Sequence, residues 1–400
     1  MRPTLPSLLA AGALLLAPAL LRAQEPDEND VDRPPSHWAI NLTIDHTGLS
    51  IGNSARVNGL RINWSDRGLE QVNGINLTLW RPDKHPSGII NGAAIGIVGP
   101  AADEINGLAV GLGGTVTGRR MRGVSIAGLG VVSEGDIEGI SIAGLGAVAE
   151  GRMRGISFAT LGVVSQGSIS GLAVSGLGTV AQGGMKGIML AGLGAVAQGD
   201  VSGFLFGGLG AVSQGSITGV AISGMGTVAQ GNLTGIGLSG IGVVTQGDLK
   251  WFSLAGVATV AQGDITGFTL SGVATVAEGR MRGVSVNGVA LVALGGFSGI
   301  GFGGAGVVSK GTITGGVVSL YKVETQHLAG ISLSTYLKAR SVTGLGVGLA
   351  YNHVRGTFVG LQIGLVNDTR VLKGFQFGLI NIARNNRGLA RVLPILNAHL

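Results

Sequence analysis

Gly139-Ile-Ser-Ile-Ala-Gly-Leu-Gly-Ala-Val-Ala-Glu-Gly-Arg-Met-Arg154 is one sixteen-residue unit of a tandem run, and its repetition decides the fold. The opening glycine recurs every 16 residues from Gly107 to Gly315, thirteen steps without insertion or deletion, with Trp251 replacing it once. Loops normally tolerate insertions. A period this strict means that every residue of the unit is structurally constrained.

Numbering from that glycine, position 2 is apolar (Ile140, Ile156, Leu172), and so is position 4 (Ile142, Phe158, Val174). Position 7 is mostly Leu (Leu129, Leu145, Leu161), position 10 is Val from Val132 to Val308, and position 15 is Ile, Met or Val (Ile137, Met153, Val201). Small residues at 3 and 5 alternate with the apolar ones at 2 and 4, which is strand periodicity. Gly at 6, 8 and 13 interrupts it, and Gly supplies the positive φ of a tight corner without steric cost. Each unit therefore reads as two short strands between Gly corners, the second centred on position 10. A helix is excluded by the absence of a 3.6 period and by a penalty of ~1 kcal/mol per internal Gly.

One unit cannot fold alone. Full burial of its four or five aliphatic side chains contributes roughly 1.5–3 kcal/mol each, while ordering its backbone costs roughly 1–2 kcal/mol per residue. Pairing between neighbouring units must supply the balance, so the units are expected to stack as coils with like residues in ladders. The charges agree. Position 14 runs Arg120, Asp136, Arg152 and position 16 runs Arg122, Glu138, Arg154, with Asp264 followed one unit later by Arg280. Opposite charges thus fall one rung, about 4.8 Å, apart. Position 12 forms a polar column of Glu134, Glu150, Gln166, Gln182, Gln198 and onward, expected to stack its amides along the axis.

The repeat continues less regularly on both sides. Upstream, Val57-Asn-Gly-Leu60, Val72-Asn-Gly-Ile75, Ile90-Asn-Gly-Ala93 and Ile105-Asn-Gly-Leu108 mark coils; downstream, Gly330, Gly344, Gly360, Gly374 and Gly388 do. The expected fold is all-β: one elongated, β-roll-like β-solenoid of about 22 coils with a period of 14–18 residues, mostly 16. At ~4.8 Å per coil it would be a rod on the order of 100 Å long. The layout reads as a signal peptide at 1–23, a linker at 24–36 and an N-terminal cap at 37–58. Irregular repeats at 59–106, strict repeats at 107–314, irregular repeats at 315–388 and a C-terminal cap at 389–400 follow. Trp38 with Ile40, and Leu393 to Leu396, are the candidate capping residues.

Composition supports this class. Gly is 76 of 400 residues and charged residues only 12%, yet the hydrophobic fraction is 45%, so neither collagen nor a disordered chain fits. Arg2 followed by the apolar run Leu8 to Leu21, with Ala23 before Gln24, reads as an export signal too short for a confident transmembrane helix. No later segment reads as a helical anchor. There is no Cys, hence no disulfide and no thiolate metal site. Loss of Arg2 and Arg22 takes Lys+Arg from 27 to 25 against 21 Asp+Glu, a net +4 that is dispersed and does not indicate nucleic acid.

Gly360-Leu-Gln-Ile-Gly-Leu-Val-Asn367, Gly374-Phe-Gln-Phe-Gly-Leu-Ile-Asn381 and the ending Leu393-Pro-Ile-Leu-Asn397 carry a resemblance. They are similar to the bacterial surface-repeat proteins first noted in Leptospira, with tandem Gly-Leu-Gln-Ile-Gly-Leu-Ile-Asn units. The match covers about 40 residues; the Ala- and Gly-rich core departs from it and resembles a generic β-roll of the trimeric-autotransporter head type. The resemblance implies export and a surface location. It implies no activity, and no functional residue is carried over.

No catalytic, cofactor-binding or metal-ligating residues stand out. His37, His46, His85, His327, His353 and His399 form no metal-spaced pair. Gly-x-Gly patterns such as Gly192-Leu-Gly194 recur in many coils, so they read as corners rather than a dinucleotide loop. The reading favoured is an exported, non-enzymatic structural or adhesive rod of the bacterial cell surface, outer membrane or periplasm. Its flat face of small residues at 3 and 5 would meet an envelope component, a polysaccharide or a copy of itself. The alternative is an outer-membrane β-barrel with one 16-mer per strand. Against it, Trp251 is the only Trp or Tyr between Gly107 and Gly315, where aromatic girdles are expected. A polysaccharide-acting enzyme on a β-helix is a third reading, disfavoured by the absence of loop insertions.

Overall fold

The computed structural model describes residues 38–80 and 86–399. The expected signal peptide and linker lie outside the described residues. The chain divides after Val212 into two compact units, and each is an all-β solenoid.

In the first unit the strands Met153–Ala159 and Ile169–Ser175 pair in parallel, with Met153 opposite Ile169, Gly155 opposite Gly171 and Ala159 opposite Ser175. The short strands Gly162–Ser165 and Gly178–Ala181 pair in the same register. In the second unit Leu249–Ala255 pairs with Ile265–Ser271, and Ala258–Ala261 with Ala274–Ala277, again in parallel at an offset of 16. Like residues therefore stack, as the strict period requires. An up-and-down barrel needs antiparallel neighbours, so the barrel alternative is excluded by this pairing. Antiparallel strands occur at the two extremes instead. Ala39–Ile44 pairs with Thr47–Gly52 in the first unit, and Val392–His399 pairs with Val366–Ala383 in the second.

The first strand of each coil is longer than the alternation suggested. It starts at position 15 and runs through the repeat glycine, as in Met153–Ala159, so that glycine is a mid-strand residue and not a corner. Gly155 and Gly171 hold φ of 114° and 115°. A Cβ at Gly171 would lie 2.0 Å from the Gly155 carbonyl oxygen in the coil below. The column must be glycine because parallel coils press backbone onto backbone here.

The inside and the outside of the coil are the reverse of the sequence expectation. Ser141, Ala143, Ala147 and Ala149, at positions 3, 5, 9 and 11, are buried, while Ile140, Ile142 and Leu145, at 2, 4 and 7, are exposed. Val148 at position 10 points outward and is half-buried. Only position 15 (Ile137, Met153, Ile169) meets the expectation of burial. The face of small residues read as a docking wall is therefore the core. The reason is geometric: alternate side chains go to opposite faces, and positions 2 and 4 share parity with the charged position 16.

A core of Ser, Thr and Ala has hydroxyls to satisfy. They satisfy one another, Ser175 Oγ with Thr179 Oγ1 at 2.9 Å across one coil and Ser141 Oγ with Ser157 Oγ at 2.9 Å between coils. In the second unit Ser239 Oγ donates to Thr227 Oγ1 at 2.9 Å and Ser271 Oγ to Thr259 Oγ1 at 3.0 Å. The Gly360-Leu-Gln-Ile-Gly-Leu-Val-Asn367 stretch and its successor at 374–381 have the same logic. Gln376 Nε2 donates to Gln362 Oε1 at 2.8 Å, and the Asn352, Asn367 and Asn381 amides form a buried ladder at 2.8 and 2.7 Å. The conspicuous Gln and Asn of that motif are therefore turned inward and hold coils together.

Candidate functional surface

The outward side chains sort into two edges. One is the corner at positions 12 to 16, where the charges lie. Arg152 meets Asp136 at 3.2 Å, Arg122 meets Glu138 at 3.2 Å and Arg154 meets Glu138 at 3.8 Å, the alternation expected from the sequence. Arg280 contacts Asp264 through its backbone N–H at 2.7 Å. That contact recurs: Asp136 accepts from the Arg152 N–H at 2.7 Å, Asn232 from that of Asp248 at 2.8 Å and Asp248 from that of Asp264 at 2.9 Å. The role of Asp or Asn at position 14 is to bind a corner N–H of the next coil. Among the described residues no hydrogen bond joins the Gln166, Gln182 and Gln198 amides, which are exposed. Amide stacking occurs instead in the upstream column Asn58, Asn73, Asn91 and Asn106, at 2.7, 2.9 and 3.0 Å.

The Arg152 N–H holds the Asp136 carboxyl below its ordinary range, and the Asp264 N–H does the same for Asp248. A carboxyl whose pKa is lower when folded stabilises fully above its unfolded value, about 3.9, and loses that contribution as pH falls through the folded value. The amides of Arg152 and Asp264 should thus lose hydrogen-exchange protection as pH drops below ~4, ahead of the neighbouring coil interiors. Protection unchanged down to pH 2 would contradict these bonds.

The other edge is apolar. In the first unit Leu129, Leu145, Leu161, Leu177, Leu193 and Leu209 form one column, each 40–57% exposed. From Leu145 on, each backbone N–H in it donates to the preceding Leu carbonyl, for example Leu145 to Leu129 at 2.7 Å and Leu193 to Leu177 at 2.8 Å, while Leu129 donates to the Gly113 carbonyl. In the second unit Met225, Ile241, Val257, Val273 and Val289 make the equivalent column, 42–49% exposed. Exposed apolar residues flank the corner on the long strand (Ile142, Phe158, Phe206), and half-buried Val148 and Val164 flank it on the short one. Monomeric soluble proteins seldom expose contiguous apolar surface of more than a few hundred Å².

Aromatic residues punctuate the apolar edge of each unit. Trp64 and Trp80 stack at 5.8 Å in the first unit, and Tyr321 and Tyr336 meet edge-on at 5.2 Å in the second. Trp251 is the singular one. It occupies the glycine column at φ 97° with 72% of its surface exposed, beside Lys250, Ile236 and the stacked Phe252 and Phe268. A bulky residue at positive φ costs of order 1–3 kcal/mol. Trp251→Gly should accordingly raise the stability of its coils by about 1–3 kcal/mol in chemical unfolding; a loss of stability would show that indole packing outweighs the strain.

Among the described residues no cluster of His, Asp and Glu could hold a metal ion, and no helix is long and apolar enough to cross a membrane. His353 Nδ1 lies 3.2 Å from Asp368 and 3.2 Å from the Tyr351 hydroxyl, and Arg384 grips Asp368 at 2.8 and 2.9 Å. Asp368 is mostly buried; burial raises its pKa, but Arg384 and His353 outweigh it and hold the carboxyl below its ordinary range. It is a charge column between coils, with the Tyr351 hydroxyl at its edge. His327 hydrogen-bonds Ser341 at 2.6 Å, while His37 and His85 lie outside the described residues.

No protein-family model, no curated protein and no solved structure matches the chain. The sequence reading missed the apolar edge by placing bulky residues inside. The signal was present: positions 2 and 4 have the parity of charged position 16, and position 10 has the parity of polar position 12.

Proposed function

We propose that this chain is an exported, non-enzymatic structural and adhesive repeat protein of a bacterial cell envelope. The observation that carries this reading is the continuous outward column of Leu129 to Leu209 on a solenoid whose coils are joined inside by hydroxyl and amide hydrogen bonds such as Ser141 to Ser157 and Asn367 to Asn381. Such a surface works by contact. The leader-like run from Leu8 to Leu21 and the similarity of residues 360–397 to bacterial surface-repeat proteins support export.

The test is expression of the whole chain with a C-terminal tag in a bacterial host, followed by fractionation and N-terminal sequencing. Envelope material beginning at Gln24 is the expected result. A cytoplasmic chain that retains its first residues would overturn the proposal.

A further inference from the structure

We infer that the apolar edge of each unit is a lipid-docking edge, which inserts into one leaflet of a bilayer with that unit's charged edge left in water. The inference rests on the envelope reading above and names the partner of that surface.

Four observations favour lipid hydrocarbon over a protein partner. The first is shape. The exposed side chains wrap a convex corner, with Leu145 and Leu161 at its tip and Ile142 and Phe158 on the long-strand flank. A flat partner covers one flank of a wedge, whereas fluid acyl chains cover both.

The second is backbone satisfaction. Unpaired N–H and C=O groups are forbidden in hydrocarbon. At this corner Leu161 N–H donates to the Leu145 carbonyl at 2.8 Å and Gly162 N–H to the same oxygen at 3.3 Å. The tip can thus leave water without stranding those N–H groups. The flanking positions 6 and 8 are mostly Gly, and Thr160 is the one hydroxyl at position 6 between Gly128 and Gly304.

The third is depth. From position 2 to the tip at position 7 is five residues, at most about 16 Å of strand. One leaflet of a ~30 Å hydrocarbon core is about 15 Å deep. Charge begins immediately beyond, at position 16 (Glu138, Arg154), and on the other flank at position 12 (Glu150). The apolar belt therefore matches one leaflet and not a full span.

The fourth is the exposed indole. Trp251, between Lys250 at position 16 and Phe252 at position 2, sits on the boundary between the two edges. Trp is favoured at the headgroup level because one side of it can be apolar and the other wet.

The experiment is flotation of the purified whole chain with neutral phosphatidylcholine vesicles, with bromine placed along the acyl chains to quench tryptophan. Binding that persists in 1 M salt, with quenched emission, is expected, because neutral lipid and high salt leave only the apolar contribution. Leu145→Gln, Leu161→Gln, Leu177→Gln and Leu193→Gln combined should lower the bound fraction at least ten-fold. Hydrogen exchange of the Ser175 and Ala191 coils checks that this variant remains folded. The unaltered chain carries the quenching readout whether or not the variant folds. No flotation and no quenching of the unaltered chain overturns the inference. So does a lipid-free oligomer in sedimentation that the four substitutions dissolve, since that assigns the edge to self-association. Either result leaves an exported envelope chain intact, whereas failure of export is read separately by fractionation.

Discussion

Asp66→Ala should destabilise the coils of the first unit that surround it by about 3–5 kcal/mol, the loss typical of stranding one charge of a buried pair. Asp66 and Arg61 are both fully buried and 3.1 Å apart. Asp66 also accepts from Asn63 at 2.7 Å, Asn76 at 2.8 Å, Thr78 at 2.8 Å and the Ala101 backbone N–H at 3.1 Å. Removal of the carboxylate leaves the guanidinium without a counter-charge, its one remaining acceptor being Asn76 Oδ1 at 2.9 Å, and takes the acceptor from the Thr78 hydroxyl and the Ala101 N–H. Arg61 is already under-satisfied, for its Nε and Nη2 have no partner, and burial lowers its pKa against the opposing effect of Asp66. The double replacement Arg61→Met with Asp66→Leu should recover the part of the loss that the unpaired guanidinium causes, and not the part carried by Thr78 and the Ala101 N–H. Chemical unfolding of the two variants beside the parent checks this. A single Asp66→Ala that unfolds like the parent would show that the pair is wet.

Gly171→Ala should cost about 3 kcal/mol, from the strain of positive φ added to the clash with the coil beneath. The Cβ would be 2.0 Å from a carbonyl oxygen at φ 115°, so the backbone itself must shift. Trp251 shows that the column can accept one such shift. The defect should therefore be local. In a stack whose coils touch only their neighbours, stability is a sum of nearest-neighbour contributions. Hydrogen exchange should find lost protection in the coils at Gly155, Gly171 and Gly187 and parental protection around Gly107. Uniform loss across the unit would contradict a nearest-neighbour stack.

The period and the charge alternation of Arg120, Asp136 and Arg152 were enough to read parallel, in-register coils from the sequence. Insertions are tolerated in hairpin loops but not in a ladder, so thirteen equal steps carry topological information. Which face turns inward was misread. Alternation is symmetric under exchange of faces, and hydrophobicity placed Ile140, Ile142 and Leu145 inside. In the structure a narrow coil of two strands is filled by Ser, Ala and Thr plus the position-15 aliphatics, and the bulkier set has room only outside. The Arg61–Asp66 pair was illegible for a different reason. Arg61 stands at position 3, the same inward column as Asn76 and Ser141, but its acid lies in an irregular segment with no register to reveal it. Trp251 was noticed as a break in the glycine column, and only its φ of 97° shows that the break is strained.

The parallel, in-register stack is tested most directly by disulfide closure, because the chain has no Cys of its own. Lys186 and Ser202 are partners on neighbouring coils, so their Cα atoms are ~4.8 Å apart, inside the 4.4–6.8 Å that a disulfide spans. Lys186→Cys with Ser202→Cys should oxidise rapidly to an intramolecular bond. Ser170→Cys with Ser202→Cys, two coils or roughly 10 Å apart, should not. Closure of the first pair alone is the predicted result; closure of the second pair, or of neither, would contradict the stack.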